Sequence, residues 1–349
     1  MSAELTLLSL PGPPEGRLGE TLSAALAGRA VQPYETGMDL AGRRLLFAAA
    51  LPEWGISPEF SRLLAFLRTH PGCLKDSVGG VIVDSPGELY TKSAGRDLAL
   101  AANLAGCAFP GRPLVEGTGD LRNLAVQAKN AGCDLREAYR IAAADLAARV
   151  LSFSPPKRSR PLLLALHASS HETSNTLALW ARCRERLEGF CGVREIGLRN
   201  GTVADCSGCP YTACLHFGER GDCFYGGVMV EEVYPAIRAA DAVLLLCPNY
   251  NDALSANLTA AINRLTALYR AAPFTDTAVF AIVVSGYSGG DIVASQVVSA
   301  MNMNKGFWLP PEFCMLETAN DAGAAMALPG IRERLERFTD NILRQICPG

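Results

Sequence analysis

Two kinds of apolar spacing alternate along the chain. Short unbroken runs, LTLLSL (5–10), RRLLFAAAL (43–51) and GGVIVDS (79–85), have the length and continuity of buried strands. So do RPLLLALHA (160–168), ADAVLLLCP (240–248) and TAVFAIVVSG (277–286) further on. Between them lie segments whose apolar residues recur every three or four positions. In the first half these are SPEFSRLLAFLRT (57–69), SAGRDLALAANLAG (93–106) and DLREAYRIAAADLAARVL (134–151). In the second half they are TSNTLALWARCRERL (173–187), SANLTAAINRLTALYR (255–270) and GIRERLERFTDNILRQ (330–345). Such spacing predicts amphipathic helices. Strands without polar alternation, separated by helices, predict an α/β fold in which each parallel sheet is flanked by helices.

The pattern runs through twice. LPEWGISPEFSRLLAFL (51–67) parallels CPNYNDALSANLTAAINRL (247–265): Pro, one residue, an aromatic, a short loop, Ser, then a helix. GCAFP (106–110) parallels GFWLP (306–310), and VEGTGD (115–120) parallels LETAND (316–321). The order is shared and the last two offsets are nearly equal, which predicts a tandem duplication. The Ser-, Pro- and Arg-rich stretch SFSPPKRSRP (152–161) suits the joint. The expected domains are 1–155 and 156–349.

Composition narrows the function classes. The chain has 349 residues, 49% hydrophobic and 19% charged, enough for two packed cores. A net charge of −3 with scattered basic residues gives no field for nucleic acid or an anionic membrane. No apolar run reaches the ~18–20 residues of a membrane helix, and the first residues lack the basic start of a secretion signal. A cytoplasmic protein with a small-molecule partner is the expectation.

Open parallel sheets bind ligands beyond the carboxyl ends of their strands, where strand order reverses. Three loops in the second half occupy such places. The first, within ALHASSHETSNTLALW (165–180), crowds hydroxyls and two histidines between a strand and a helix. A helix start with such donors suits a phosphate; the alternative is an ordinary cap by Thr173 or Ser174. The second loop holds Pro248, Asn249, Tyr250, Asn251 and Asp252, which suit a planar polar ring with Tyr250 beside it, or else a solvent turn. The third, VVSGYSGGDI (283–292), has glycines that allow close backbone approach to a ligand, or a plain surface loop.

Taken together, the three loops resemble the flavodoxin-like NAD(P)H-dependent FMN reductases and their iron–sulfur flavoprotein branch. ASSHETSNT (168–176) has the length of that family's G-S-P-R-x-x-S-N-T, with Ala168, Ser170 and His171 as departures. CPNY followed by SANLTAAINR (247–264) matches its S-P-x-Y and S-A-x-L-K-A-F-I-D-R, with Thr259 and Asn263 departing. The resemblance implies that Ser169, His171, Ser174, Asn175 and Thr176 hold the FMN phosphate. It implies that Pro248, Asn249, Tyr250 and Asn251 border the ring, and that Ser285, Gly286, Tyr287 and Gly289 cover its other edge. His171 stands for the family's arginine and carries charge only when protonated. With His167 beside it, flavin binding is expected to weaken as pH rises through the histidine range.

Twelve cysteines are present, four of them clustered as Cys206, Cys209, Cys214 and Cys223. Clustered thiols in an intracellular chain point to metal or redox work. Related flavoproteins carry a four-cysteine run here, and some ligate a 4Fe–4S cluster. This chain's spacing, C-x2-C-x4-C-x8-C, is longer, and glycines at 226 and 227 stand where aspartates often follow. No metal ligand is therefore assigned and a cluster is not favoured.

The first half lacks the hydroxyl-rich loop; PGPPEGRLGE (11–20) follows its first strand. One FMN per chain is expected, in the second half. The first half would then serve as an internal partner in a monomeric pseudo-dimer, with a homodimer as the other arrangement. The resemblance implies an NAD(P)H oxidoreductase that relays hydride through flavin N5 to a small aromatic or enone acceptor. Tyr287 is the candidate proton donor. The two-part layout also resembles the flavone reductases of anaerobic gut bacteria, ene-reductases that saturate the C2–C3 bond of flavones and flavonols. The alternative is an iron–sulfur flavoprotein or a quinone or FMN reductase moving electrons.

Overall fold

The computed structural model describes residues 4–169, 174–199 and 203–348. The chain divides into two compact units, Met1–Ser154 and Pro155–Gly349.

In the first unit, strands β1 (Leu5–Leu10), β2 (Val31–Pro33), β3 (Arg44–Ala50), β4 (Ser77–Asp84), β5 (Cys107–Ala108) and β6 (Leu114–Gly117) form one sheet. Its order is β2-β1-β3-β4, with β5 and β6 both on the outer edge of β4. Every pairing is parallel. All eight residues of β4 are buried, because helices cover both faces and no polar side is needed. Helices α1 (Gly16–Ala25) and α5 (Leu135–Ser152) close one face over a core that includes Leu18, Leu22, Leu46, Ile82, Leu146 and Val150. The remaining helices are α2 (Pro58–Thr69), α3 (Thr91–Leu104) and α4 (Ala125–Ala131). Ser57 starts α2 by accepting from the Phe60 N–H at 3.2 Å, and Asp134 starts α5 the same way through Glu137 at 2.8 Å. Caps of this kind contribute ~1 kcal/mol each.

The second unit has the same plan. Strands β7 (Leu162–His167), β8 (Gly192–Gly197), β9 (Ala242–Pro248), β10 (Ala278–Ser285) and β11 (Cys314–Thr318) run parallel in the order β11-β10-β9-β7-β8. Its helices are α6 (Asn175–Leu187), α7 (Tyr211–Gly218), α8 (Tyr234–Ala239), α9 (Ala256–Ala271), α10 (Gly290–Val297) and α11 (Ile331–Ile346). Numbered within each unit, both sheets read 2-1-3-4-5, the flavodoxin order, with the reversal between the first and third strands.

The correspondence reaches below topology. The fifth strand is interrupted in both units: Cys107–Ala108 and then β6 in the first, a bridge at Trp308 and then β11 in the second. Each interruption contains a non-glycine residue in the left-handed region, Arg112 (φ 57°) and Glu312 (φ 50°). Each is braced by a fully buried asparagine, Asn103 donating to the Cys107 carbonyl at 2.9 Å and Asn302 to the Phe307 carbonyl at 2.8 Å. Strained positions and buried side-chain brackets repeated at one place fit the duplication expected from the paired motifs. Among the described residues no helix is long and apolar enough to cross a membrane.

Candidate functional site

The strand reversal in the second unit lies between β7 and β9, so the loops leaving those strands and β10 form its carboxyl edge. The first loop brings Ser169, Ser174 and Thr176 together. Ser174 Oγ lies 3.4 Å from Ser169 Oγ and 2.9 Å from Thr176 Oγ1. Ser174 is also the N-cap of α6, accepting from the Leu177 N–H at 3.5 Å. Ser174 thus caps the helix and also stands among the hydroxyls of the candidate phosphate site. The helix end adds unpaired N–H groups and a partial positive charge to the hydroxyls. Ser169 and Thr176 are buried. Asn175 is placed at the helix start, but its side chain faces away: Nδ2 donates to the carbonyls of Ala319 and Asp321, and Oδ1 accepts from the Ala325 N–H. Its side chain braces the loop after β11. His171 lies outside the described residues. His167 is buried between Ser169 O (3.1 Å from Nδ1) and Glu195 (3.3 Å from Nε2), a bracket from β7 to β8.

The second loop is a tight hairpin. Tyr250 and Ala253 exchange backbone hydrogen bonds, and the residues between them, Asn251 (φ 55°) and Asp252 (φ 56°), are both left-handed. That is the type I′ turn, and Asn and Asp tolerate it better than other non-glycine residues. Gln296 holds the hairpin from α10, accepting from the Leu254 N–H and donating to the Asp252 carbonyl. Tyr250 is displayed, 55% exposed.

Asn249 joins the second loop to the third. Its Nδ2 donates to Ser285 Oγ (3.1 Å), the Ser288 carbonyl (3.0 Å) and Asp252 Oδ1 (3.2 Å). Gly289 is left-handed at φ 81°, and a Cβ there would run into Asp252 Oδ1 and Asn249 Nδ2. The glycine is thus required by both conformation and space. Gly286, in the same loop as Gly289, faces Asn320 from the loop after β11. Tyr287 is 82% exposed at the rim. Two buried polar atoms on this edge have no partner, Asn249 Oδ1 and Ser255 Oγ. Buried orphans of this kind mark where a ligand's donors belong. A hydroxyl-lined helix start, a rigid ring-side hairpin and orphaned acceptors fit a phosphorylated flavin.

Residues 161–321 match the model of the NADPH-dependent FMN reductase family. The match falls within the second unit and supports FMN as its cofactor and NAD(P)H as its reductant. No match to a curated protein was found. Solved structures similar to this chain include an NADH:FMN oxidoreductase in its apo form, 15% identical over 54% of this chain and 91% of that one, TM-score 0.38. An NAD(P)H:quinone oxidoreductase from Methanothermobacter marburgensis is 14% identical over 52% and 96%, TM-score 0.38. An azoreductase from Bacillus anthracis is 15% identical over 53% and 97%, TM-score 0.34. At such identities and scores these likenesses carry no weight for function.

The equivalent edge of the first unit is closed by its own side chain. Arg17, at the start of α1, donates to both carboxylate oxygens of Asp84 (2.9 and 3.0 Å) and to the carbonyls of Ser85, Gly117 and Gly119. Asp84 ends β4 as Ser285 ends β10. A guanidinium at a helix N-terminus opposes the helix dipole, so it needs such a carboxylate. That opposition is the one hint of the plug in the sequence. Beside it Tyr139 is fully buried, its hydroxyl pushed well up by burial and then by the Asp84 charge.

The cysteine segment forms a second feature of the second unit. Cys206, Cys209, Cys214 and Cys223 all line one cavity of about 290 Å³, with Phe217, Phe224, Arg264 and Arg270. The segment is anchored on α9: Asp205 accepts from Asn263 Nδ2 at 3.0 Å, and the Arg264 guanidinium donates to the Gly226 carbonyl at 2.8 Å. Asn263 and the Cys206 N–H hold the Asp205 carboxyl below its ordinary range. Burial pushes the Cys214 thiol up and the Lys305 ammonium down. Lys305 Nζ donates to Thr266, which is also on the cavity wall. Among the described residues no three His, Cys, Asp or Glu side chains gather closely enough for a single metal ion.

Proposed function

We propose that the second unit binds FMN along the carboxyl edge of its sheet and uses NAD(P)H to reduce a small, planar, conjugated acceptor. The hydroxyl-lined helix start, beside the second and third loops that Asn249 joins and the orphaned Asn249 and Ser255 oxygens, carries this reading. When bound, FMN supplies the hydride chemistry, accepting from the nicotinamide and delivering to the acceptor. Ser169, Ser174, Thr176 and the α6 N-terminus hold the phosphate. The Tyr250 hairpin and the Gly286–Gly289 loop flank the ring, and Asn249 fixes the two against each other. Tyr250 and Tyr287, both exposed, offer stacking faces to a flat acceptor. The Tyr287 hydroxyl stands at the rim as the proton donor for an alkene carbon. Flavones and flavonols, reduced at the C2–C3 bond, are the acceptor class placed first; quinones are the alternative. Anaerobic NADH and NADPH consumption with flavones, enones and quinones tests this. Protein with bound FMN that oxidises neither nicotinamide with any acceptor would overturn it.

A second reading rests on the cysteine cavity. Four thiols line one space, and four cysteines suffice in number to ligate a 4Fe–4S cluster. Such a cluster would supply one-electron chemistry and make the unit an electron-transferring flavoprotein.

A further inference from the structure

The wall of the cysteine cavity carries an unsatisfied donor. Arg264 is only 3% exposed and lines the cavity, and among the described residues its Nε has no hydrogen-bond partner. One terminal nitrogen donates to the Gly226 carbonyl at 2.8 Å, which fixes the plane of the guanidinium. A buried charged N–H without an acceptor is destabilising, and it marks where a ligand's acceptor belongs. Two further cations stand near. Arg270 lines the cavity and rests over the Tyr211 ring at 4.6 Å, and Lys305 donates to Thr266 of the wall at 2.6 Å. Among the described residues lining the cavity there is no carboxylate. The charge therefore selects an anion. Much of the remaining wall is apolar, with the rings of Phe217 and Phe224 set edge to face, 5.8 Å between centroids. A phosphate would need donors for three charged oxygens. One orphaned donor beside aromatic faces suits a carboxylate on a flat apolar body.

We infer that the cavity is a binding site for a small aromatic carboxylate, whose oxygen accepts from Arg264 Nε and whose ring lies against Phe217 and Phe224. Arg270 and Lys305 supply the field that draws the anion in. At about 290 Å³ the space is at the small end of organic-ligand pockets and suits one or two fused rings. The site is separate from the flavin edge, because Arg264 lies on α9 about 13 Å along the helix from Ser255. The inference goes beyond the proposed reduction and does not depend on it. It is an alternative to the cluster of the second reading, since both occupy the same space.

The test uses the full chain, purified anaerobically, with FMN occupancy and NAD(P)H oxidation recorded alongside. Isothermal titration calorimetry measures binding of benzoate, 2-naphthoate, benzamide and inorganic phosphate. One carboxylate should bind per chain. Benzamide, the neutral isostere, should bind about tenfold more weakly because it lacks the charge-assisted bond, and phosphate should not compete. Arg264→Met should weaken benzoate about tenfold and leave benzamide nearly unchanged. Ala213→Phe fills the cavity from α7 with the guanidinium still present, and should abolish binding of both. It decides the matter if Arg264→Met does not fold. No carboxylate binding, or benzoate no tighter than benzamide, overturns the inference. So does binding that neither variant changes, which lies elsewhere on the chain. Iron and acid-labile sulfide at about four of each per chain would fill the space with a cluster and overturn it too. FMN bound and acceptors reduced, with no carboxylate binding, overturns this site and leaves the proposed reaction standing. Carboxylate bound by a chain that reduces no acceptor does the reverse.

Discussion

Replacing Arg17 by Met removes the side chain that closes the first unit's carboxyl edge. Five hydrogen bonds go with it, two to Asp84 and one each to the Ser85, Gly117 and Gly119 carbonyls. The pair is largely inside, its side chains 20% and 11% exposed. Methionine fills part of the volume but leaves the Asp84 carboxylate facing Tyr139 without a counter-charge. Removing one partner of a buried pair costs about 3–5 kcal/mol. The partial exposure of Arg17 puts this case near the lower end, about 3 kcal/mol. For a unit of this size that is a fall of about 6–12 °C in melting temperature. Urea unfolding by far-ultraviolet circular dichroism gives the loss, and hydrogen exchange on peptides from 4–154 assigns it to the first unit. Arg17→Met combined with Asp84→Leu removes both charges and should recover most of the stability. A single variant within about 1 kcal/mol of wild type, or a double variant no better than the single, would refute the account of Arg17 as a buried plug.

Flavin analysis should find one FMN per chain, because only the second unit has the hydroxyl-lined helix start; two per chain would contradict this. Ser174→Ala and Thr176→Val should each weaken FMN binding about tenfold while leaving riboflavin, which lacks the phosphate, nearly unchanged. Equal losses for both flavins in isothermal titration would remove these hydroxyls from the phosphate site. Gly289→Ala forces a left-handed alanine into Asp252 and Asn249, at ~1–3 kcal/mol of strain, and should lower FMN occupancy in purified protein. Peptide mapping after alkylation of the folded protein at pH 8 should show exposed Cys206 modified first. Cys107, whose thiol burial pushes up to about 12, should stay protected until the chain unfolds, as should Cys247 and Cys314.

The central strands were legible because burial on both faces leaves unbroken apolar runs, as in Ser77–Asp84 and Ala278–Ser285. The edge strands were not. Gly192–Gly197 buries only Ile196 fully and reads as polar, and Val31–Pro33 is three residues long. The α1 helix was hidden by glycines at 16 and 19. At the candidate site, hydroxyl density brought out Ser169, Ser174 and Thr176, which the fold gathers at one helix start because they are close in sequence. What Asn175 does could not be read, because its partners lie 144 to 150 residues away. The Arg17 plug depends on Asp84, 67 residues on. The cysteine spacing was plain, but the cations facing it come from α9 and from Lys305, which only the fold brings near.

The left-handed pair at Asn251 and Asp252 has a kinetic consequence. A tyrosine on a floppy loop must be frozen when a ring arrives, at about 0.5–1.5 kcal/mol for the side chain and more for each backbone residue ordered. Tyr250 stands on a two-residue turn already locked by its own strand bonds and by Gln296. Little backbone freedom is left to lose, so the side-chain cost alone is set against the stacking energy. Association there should follow encounter with the ring, with a single kinetic phase and no slower step of loop closure.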